Sequence, residues 1–181
     1  GEYLIGTSSW GPFTLAGQFY GVEPLLSGLY KDKAGIQALL EFITEVCYRY
    51  LSPAIARGAK LISIAEPTAS GDLISRRHFD EFVAPYLQKL IARLKQDGAL
   101  ITLHICGKTS KIWSKMCDAG ADCLSIDNAA SLLEAKQLVG NRARLMGNVK
   151  PSEVMLQGTV AEVRQAVREC VAQAGDSPKG L

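Results

Sequence analysis

Short apolar runs rich in strand-forming residues alternate along this chain with longer stretches whose apolar positions recur at helical spacing. Residues 3–7, 60–65, 100–104, 122–126 and 144–146 predict five strands. Residues 34–59 place Ile36, Leu39, Leu40, Ile43 and Cys47 on one helical face. A second long helix is predicted over 79–96, with Pro85 bending or dividing it. Shorter helices fit 110–118, 130–139 and 160–173. Strands that alternate with helices and are apolar on both faces predict a parallel sheet covered by helices.

Two of the strand-to-strand spacings are about 20 residues, close to the minimum for a wound β/α unit. Such even spacing favours a barrel over an open doubly wound sheet. No Gly-rich phosphate fingerprint follows any strand, which weakens a nucleotide-binding alternative. The fold class is therefore α/β, as part of a TIM-type (β/α)8 barrel. Five strands cannot close a barrel that needs eight. Residues 1–181 are expected to be a single partial barrel domain, truncated at both ends, with the turn at 176–181 leading toward another strand. Sheet edges left open in this way predict self-association.

Composition changes the picture mainly by exclusion. The hydrophobic share of 48% and charged share of 21% are those of a soluble globular chain. Twenty basic and 18 acidic residues give a net charge of +2 without a block of one sign. Nucleic-acid binding thus has no electrostatic footprint. No apolar run approaches the roughly 18 residues of a membrane span, and no leader pattern is present. Five scattered cysteines, an odd number, argue against a disulfide framework and for a reducing cytoplasm.

Candidate chemistry gathers at the strand ends. Ile101-Thr102-Leu103-His104-Ile105-Cys106-Gly107 delivers an imidazole and a thiol, two positions apart, where a strand should stop. That pair suits zinc better than other common metals. The bland alternative is a buried histidine beside a small apolar cysteine. The other strands also end in polar groups: Ser8, Ser9 and Trp10, then Glu66, then Asp127 and Asn128, then Asn148. Catalytic residues of β/α barrels occupy this rim, whereas strand bodies pack. Asp127, Asn128, Ser75 and Ser110 also have capping readings, and capping is the better one for Asn128 and Ser110. Glu66, held before Pro67 at a strand end, is a poor cap and so harder to assign to capping.

These residues resemble the uroporphyrinogen decarboxylase superfamily, and within it the corrinoid-dependent methyltransferases that act on coenzyme M. The resemblance runs through Gly11-Pro12-Phe13-Thr14-Leu15-Ala16 and Glu66-Pro67-Thr68-Ala69-Ser70-Gly71-Asp72-Leu73-Ile74-Ser75. It continues through Phe79-Asp80-Glu81-Phe82-Val83, Pro85-Tyr86, His104-Ile105-Cys106-Gly107, Leu124-Ser125-Ile126-Asp127 and Met146-Gly147-Asn148-Val149. His-x-Cys-Gly is what favours the methyltransferase branch, since the decarboxylases need no zinc thiolate site.

The resemblance implies a barrel enzyme with one zinc at its rim, moving a methyl group from a methylated corrinoid such as methylcobalamin to a small-molecule thiol. His104 and Cys106 match two zinc ligands, and a third, a cysteine, is expected beyond Leu181. Cys117, Cys123 and Cys170 read as packing positions. Asp127, preferred over Glu66, would fill the open metal position or hold His104 from behind. Ser9 and Asn148 would orient substrate, with Tyr86 and Trp10 either walling the cleft or, equally well, packing in the core. By the same resemblance the corrinoid would arrive free or on a partner corrinoid protein. Two rivals stand beside this reading: uroporphyrinogen decarboxylase itself, in tetrapyrrole biosynthesis, and a non-catalytic corrinoid- or tetrapyrrole-binding barrel.

Overall fold

Alternation along a strand sends every second side chain to the same face. In the middle of this chain, Ile62, Ile64, Ile101, Leu103, Leu124 and Leu145 occupy one such set. In the computed structural model, which describes residues 3–181, all six are buried. Five parallel strands form one sheet in the order β1 (Gly6–Trp10), β2 (Leu61–Ala65), β3 (Leu100–His104), β4 (Cys123–Ser125) and β5 (Arg144–Met146). Spatial order follows chain order with no reversal. An open doubly wound sheet reverses at a switch point, whereas a β/α barrel wall winds in one direction. The sheet is thus a stretch of TIM-type barrel wall.

The described residues form eight α-helices: α1 (Pro12–Tyr20), α2 (Val22–Lys31), α3 (Lys33–Ala56), α4 (Arg76–Phe82), α5 (Ala84–Gln96), α6 (Trp113–Asp118), α7 (Leu132–Val139) and α8 (Val160–Ala174). Of these, α3, α5 and α6 pack directly against β1, β3 and β4. Helix α3 buries Ile36, Leu40, Ile43, Cys47, Leu51 and Ile55. Its outer side meets α5 through the Arg93–Glu45 ion pair at 2.5 Å and through Lys89–Glu41. The Arg93 guanidinium also stacks 3.5 Å from the Tyr48 ring centroid. Pro85 divides the helix predicted over 79–96: α4 ends at Phe82, and the proline lies in the first turn of α5, where a missing N–H costs nothing. Ser75 caps α4 by accepting from the His78 N–H, and Ser131 caps α7 from the Glu134 N–H. None of the described helices is long and apolar enough to cross a membrane.

One expectation needs correction, and two helices were not foreseen. The first strand is Gly6–Trp10, not 3–7, because pairing with β2 begins at Gly6; Tyr3, Leu4 and Ile5 are exposed. A Cβ on Gly6 would meet the Leu61 carbonyl oxygen at 2.7 Å, so only glycine enters the pair there. Helices α1 and α2 went unpredicted because Gly17, Gly21, Pro24 and Gly28 interrupt their pattern. Gly28 is a packing choice: a Cβ there would sit 2.6 Å from the Ile36 side chain.

The register sorts the other face into rows. Trp10, Ala65, His104, Ser125 and Met146 lie side by side at the C-terminal end. One layer below lie Ser8, Ser63, Thr102, Cys123 and Arg144. This face mixes serine, threonine, cysteine, histidine and arginine with Trp10 and Met146, where the helix-covered face of β2 to β5 is aliphatic.

Candidate metal centre

His104 is the last residue of β3, so its backbone is set by the ladder on both sides, and its ring stands on the polar face. Its Nδ1 lies 3.1 Å from the Ser125 carbonyl oxygen and 3.0 Å from Ser125 Oγ, on the neighbouring strand. A carbonyl only accepts, which assigns the proton to Nδ1 and leaves the lone pair on Nε2. That lone pair faces Cys106, whose Sγ is 3.2 Å away. Burial, and secondarily the negative charge of Asp127, push the Cys106 thiol above its ordinary pKa. Asp127 closes the group: one atom each from His104, Cys106 and Asp127 lie within 4.8 Å of one another. Its Oδ1 also accepts from the Ala129 N–H at 2.7 Å, an Asx turn that fixes the carboxylate.

Imidazole, thiolate and carboxylate are the ligand types of zinc. Zn–N of about 2.0 Å and Zn–S of about 2.3 Å put tetrahedral ligands roughly 3.5 Å apart. The 3.2 Å between Nε2 and Sγ is already close to that arrangement. Catalytic zinc sites keep three protein ligands and one position for substrate.

The remaining sequence-predicted residues divide sharply. Glu66 is not at the cluster. Its side chain turns back and is fully buried, accepting from the N–H groups of Phe13 at 3.0 Å and Thr14 at 2.7 Å. It caps α1, a helix that precedes it in the chain by some fifty residues. Burial pushes its carboxyl up to about 7, against the lowering effect of these hydrogen bonds. Neither Glu66 nor Asp127 backs His104; Ser125 does. Ser9 belongs to the row of Ile64 and Leu103, which faces the helices, and its hydroxyl donates to the Trp10 carbonyl. Ser8 is the serine on the face of His104. Asn148 spends both Nδ2 hydrogens on main-chain oxygens, Asp127 at 2.9 Å and Ala130 at 2.7 Å, so it braces the Asp127 loop. Tyr86 lies in the helical layer, where its hydroxyl donates to the Gln37 carbonyl of α3. Trp10 shares the row of His104, two strands away, and is half exposed. Asn128 and Ser110 make no capping bond; Ser131 takes that role for α7.

Sequence reasoning misses Ser125. Its signal was available: it lies two residues before Asp127 and directly opposite His104 once β3 and β4 are paired. Cys47 is the contrasting thiol, sealed in the core and pushed up to about 12 by burial and by the charge of Glu66.

The model of the uroporphyrinogen decarboxylase (URO-D) family matches residues 2–181. Methylcobamide:CoM methyltransferase MtaA of Methanosarcina barkeri is 34% identical over 155 residues, 85% of this chain and 45% of its own length. Methylated-thiol–coenzyme M methyltransferase of Methanosarcina mazei is 32% identical over 165 residues, 91% of this chain and 44% of its own. A uroporphyrinogen decarboxylase of Actinobacillus succinogenes is 29% identical over 182 aligned positions, covering 96% of this chain and 50% of its own. A solved methyltransferase from Methanosarcina mazei superposes with a TM-score of 0.90 at 30% identity, over 96% of this chain and 51% of that one. The chain spans about half the length of the curated relatives it matches. With its singly wound sheet and a family match over almost all its residues, the chain belongs to the uroporphyrinogen decarboxylase (URO-D) family.

Proposed function

We propose that this chain is the catalytic-rim segment of a longer cytoplasmic enzyme that transfers a methyl group from a methylated corrinoid to a small-molecule thiol such as coenzyme M. The observation that carries this reading is the convergence of His104, Cys106 and Asp127 at one end of the sheet. Two relatives that carry coenzyme M methyltransferase names support it.

A thiol is a weak nucleophile until it loses its proton. Zinc held by His104, Cys106 and the further cysteine that the resemblance implies, with Asp127 at the fourth position until substrate displaces it, would lower the pKa of a thiol bound there. Substrate sulfur would then attack the methyl carbon: a C–S bond forms, the Co–C bond breaks, and its electron pair stays on cobalt. The thiol proton leaves to solvent. The chain's own residues keep the site in shape for this. Ser125 holds the His104 tautomer that presents a lone pair, and Asn148 braces the loop of Asp127. The partly exposed rim leaves room for a corrinoid, free or protein-bound, to approach from above. Porphyrinogen decarboxylation has no use for a thiol–imidazole–carboxylate group.

Elemental analysis of the complete polypeptide, with a methylcobalamin:thiol transfer assay, tests this reading. Near-stoichiometric zinc and thioether formation that stops on chelation are expected. Turnover of porphyrinogen by metal-free protein would replace it with the decarboxylase reading.

A further inference from the structure

The stretch Ser70-Gly71-Asp72, in the loop after β2, takes no part in that mechanism, yet it reaches the turn that carries Cys106. Asp72 Oδ2 accepts from the Lys108 main-chain N–H at 3.2 Å, and Asp72 Oδ1 lies 3.2 Å from Lys108 Nζ. Ser70 Oγ donates to the same carboxylate and accepts from the Asp72 N–H, each at 3.2 Å, so the carboxylate is itself oriented. Two glycines let the loops touch. A Cβ on Gly107 would come within 2.2 Å of Asp72 Oδ2, and one on Gly71 within 2.4 Å of the Lys108 carbonyl oxygen. Gly107 also has φ +71°, in the left-handed region that glycine adopts freely. Upstream, the Glu66 N–H donates to the His104 carbonyl at 2.8 Å. The β2 loop therefore grips the β3 loop on both sides of Cys106.

We propose that Asp72 is a positioning residue for Cys106: by holding the Gly107–Lys108 turn, it sets the thiol beside His104 Nε2, ready to share a metal ion. The inference rests on the zinc reading above and deepens it. His104 has strand partners on both sides; Cys106 lies two residues beyond the end of β3 and has none. Without an outside acceptor its turn would be free to swing, and ordering it would be paid for from metal-binding energy. A braced ligand keeps that energy, the general reason that groups behind a metal's ligands matter for affinity.

The test compares wild type, D72A and D72N in the complete polypeptide. Zinc affinity is read by chelator competition, the Cys–metal bond by the sulfur-to-cobalt charge-transfer band of the Co(II) form, and the turn by hydrogen exchange at the Lys108 amide. D72A is expected to weaken zinc binding about tenfold or more, to diminish the band and to speed Lys108 exchange. D72N, which keeps an acceptor oxygen for the Lys108 N–H, should recover most of all three. The melting temperature should hold, since Asp72 and Lys108 are exposed. Wild-type zinc affinity in D72A, or unchanged Lys108 exchange, would overturn the proposal. So would a fall in affinity matched by a melting drop beyond ~5 °C, which would make Asp72 a general stabiliser. Failure of wild type itself to bind zinc is a different result: it removes the zinc reading, and this inference with it.

Discussion

Two carboxylates leave the ends of strands in this fold, and they do opposite things. Asp127 follows β4 by two residues, stays at the rim, and joins His104 and Cys106. Glu66 follows β2 directly, turns inward, and is sealed against the first turn of α1. The backbone around each decides the outcome. Gly11 opens the space for Glu66: a Cβ there would overlap its carboxylate at 2.3 Å. The unpaired N–H groups of α1 and their partial positive charge then supply a better partner than any rim ligand. The hydrogen bond that Asp127 Oδ1 accepts comes from its own loop, the Ala129 N–H, and this Asx turn keeps it outside. A strand-end carboxylate thus stays at the rim or becomes a brace according to whether a neighbouring helix offers it N–H groups.

The largest effect that would sharpen this contrast is on metal retention. H104A or C106A should lose zinc by more than the ~10–100-fold that follows loss of groups behind the ligands, with little change in melting temperature. E66A should do the reverse: an empty buried space and two orphaned N–H groups cost on the order of 3 kcal/mol of stability. Zinc titration and thermal melting on the same samples separate the two. Equal zinc loss in E66A at full stability would break the contrast by returning Glu66 to the site.

A second, smaller effect is pH dependence. The folded-state carboxyl of Glu66 titrates at about 7, above its ordinary 4.5, so the folded protein holds this proton more tightly than the unfolded chain. Stability from this group is fully present below pH 4.5 and is lost as pH rises through 7, by on the order of 3 kcal/mol at most. The carboxylates with lowered values, Glu45, Asp72, Glu81, Glu162 and Asp176, work in the opposite sense and at lower pH. Subtracting the E66Q stability curve from that of wild type should therefore leave a downward slope between pH 5 and 7, since E66Q carries no proton to lose. A flat difference would mean that the two α1 N–H groups fully offset burial and that Glu66 is ionised throughout.

How much of this was legible follows the range of the interactions. Strands β3 and β5 were readable to the residue, because Leu100-Ile101-Thr102-Leu103-His104 and Arg144-Leu145-Met146 stand between clear turns. The His104–Cys106 pair was readable for the same reason, as a local spacing at a strand end. Strand β1 was misplaced because Tyr3-Leu4-Ile5 is as apolar as a strand, and only pairing with β2 shows where the ladder begins. Ser9 was chosen over Ser8 because its face depends on that same register. Glu66 was misread because its partners lie 52 and 53 residues away, a distance over which no local pattern reports. Tyr86 looked like a wall of the cleft, but helical phase points it toward α3.

The smallest expected effect tests the bracing at its weakest point. His104 Nδ1 has two partners on Ser125, a hydroxyl at 3.0 Å and a main-chain carbonyl at 3.1 Å. S125A removes only the first. The carbonyl remains as an obligate acceptor, so the Nδ1–H tautomer and the lone pair on Nε2 should persist. Zinc affinity should then fall by no more than about tenfold, the lower end of what such partners are worth. Nitrogen NMR of the His104 ring should still show the proton on Nδ1. If S125A instead loses zinc as completely as H104A, the hydroxyl and not the carbonyl sets the tautomer. The brace would then lie in a side chain that mutation can remove. If the carbonyl suffices, it lies in the β4 backbone, and the pairing of β3 with β4 itself prepares His104 for metal.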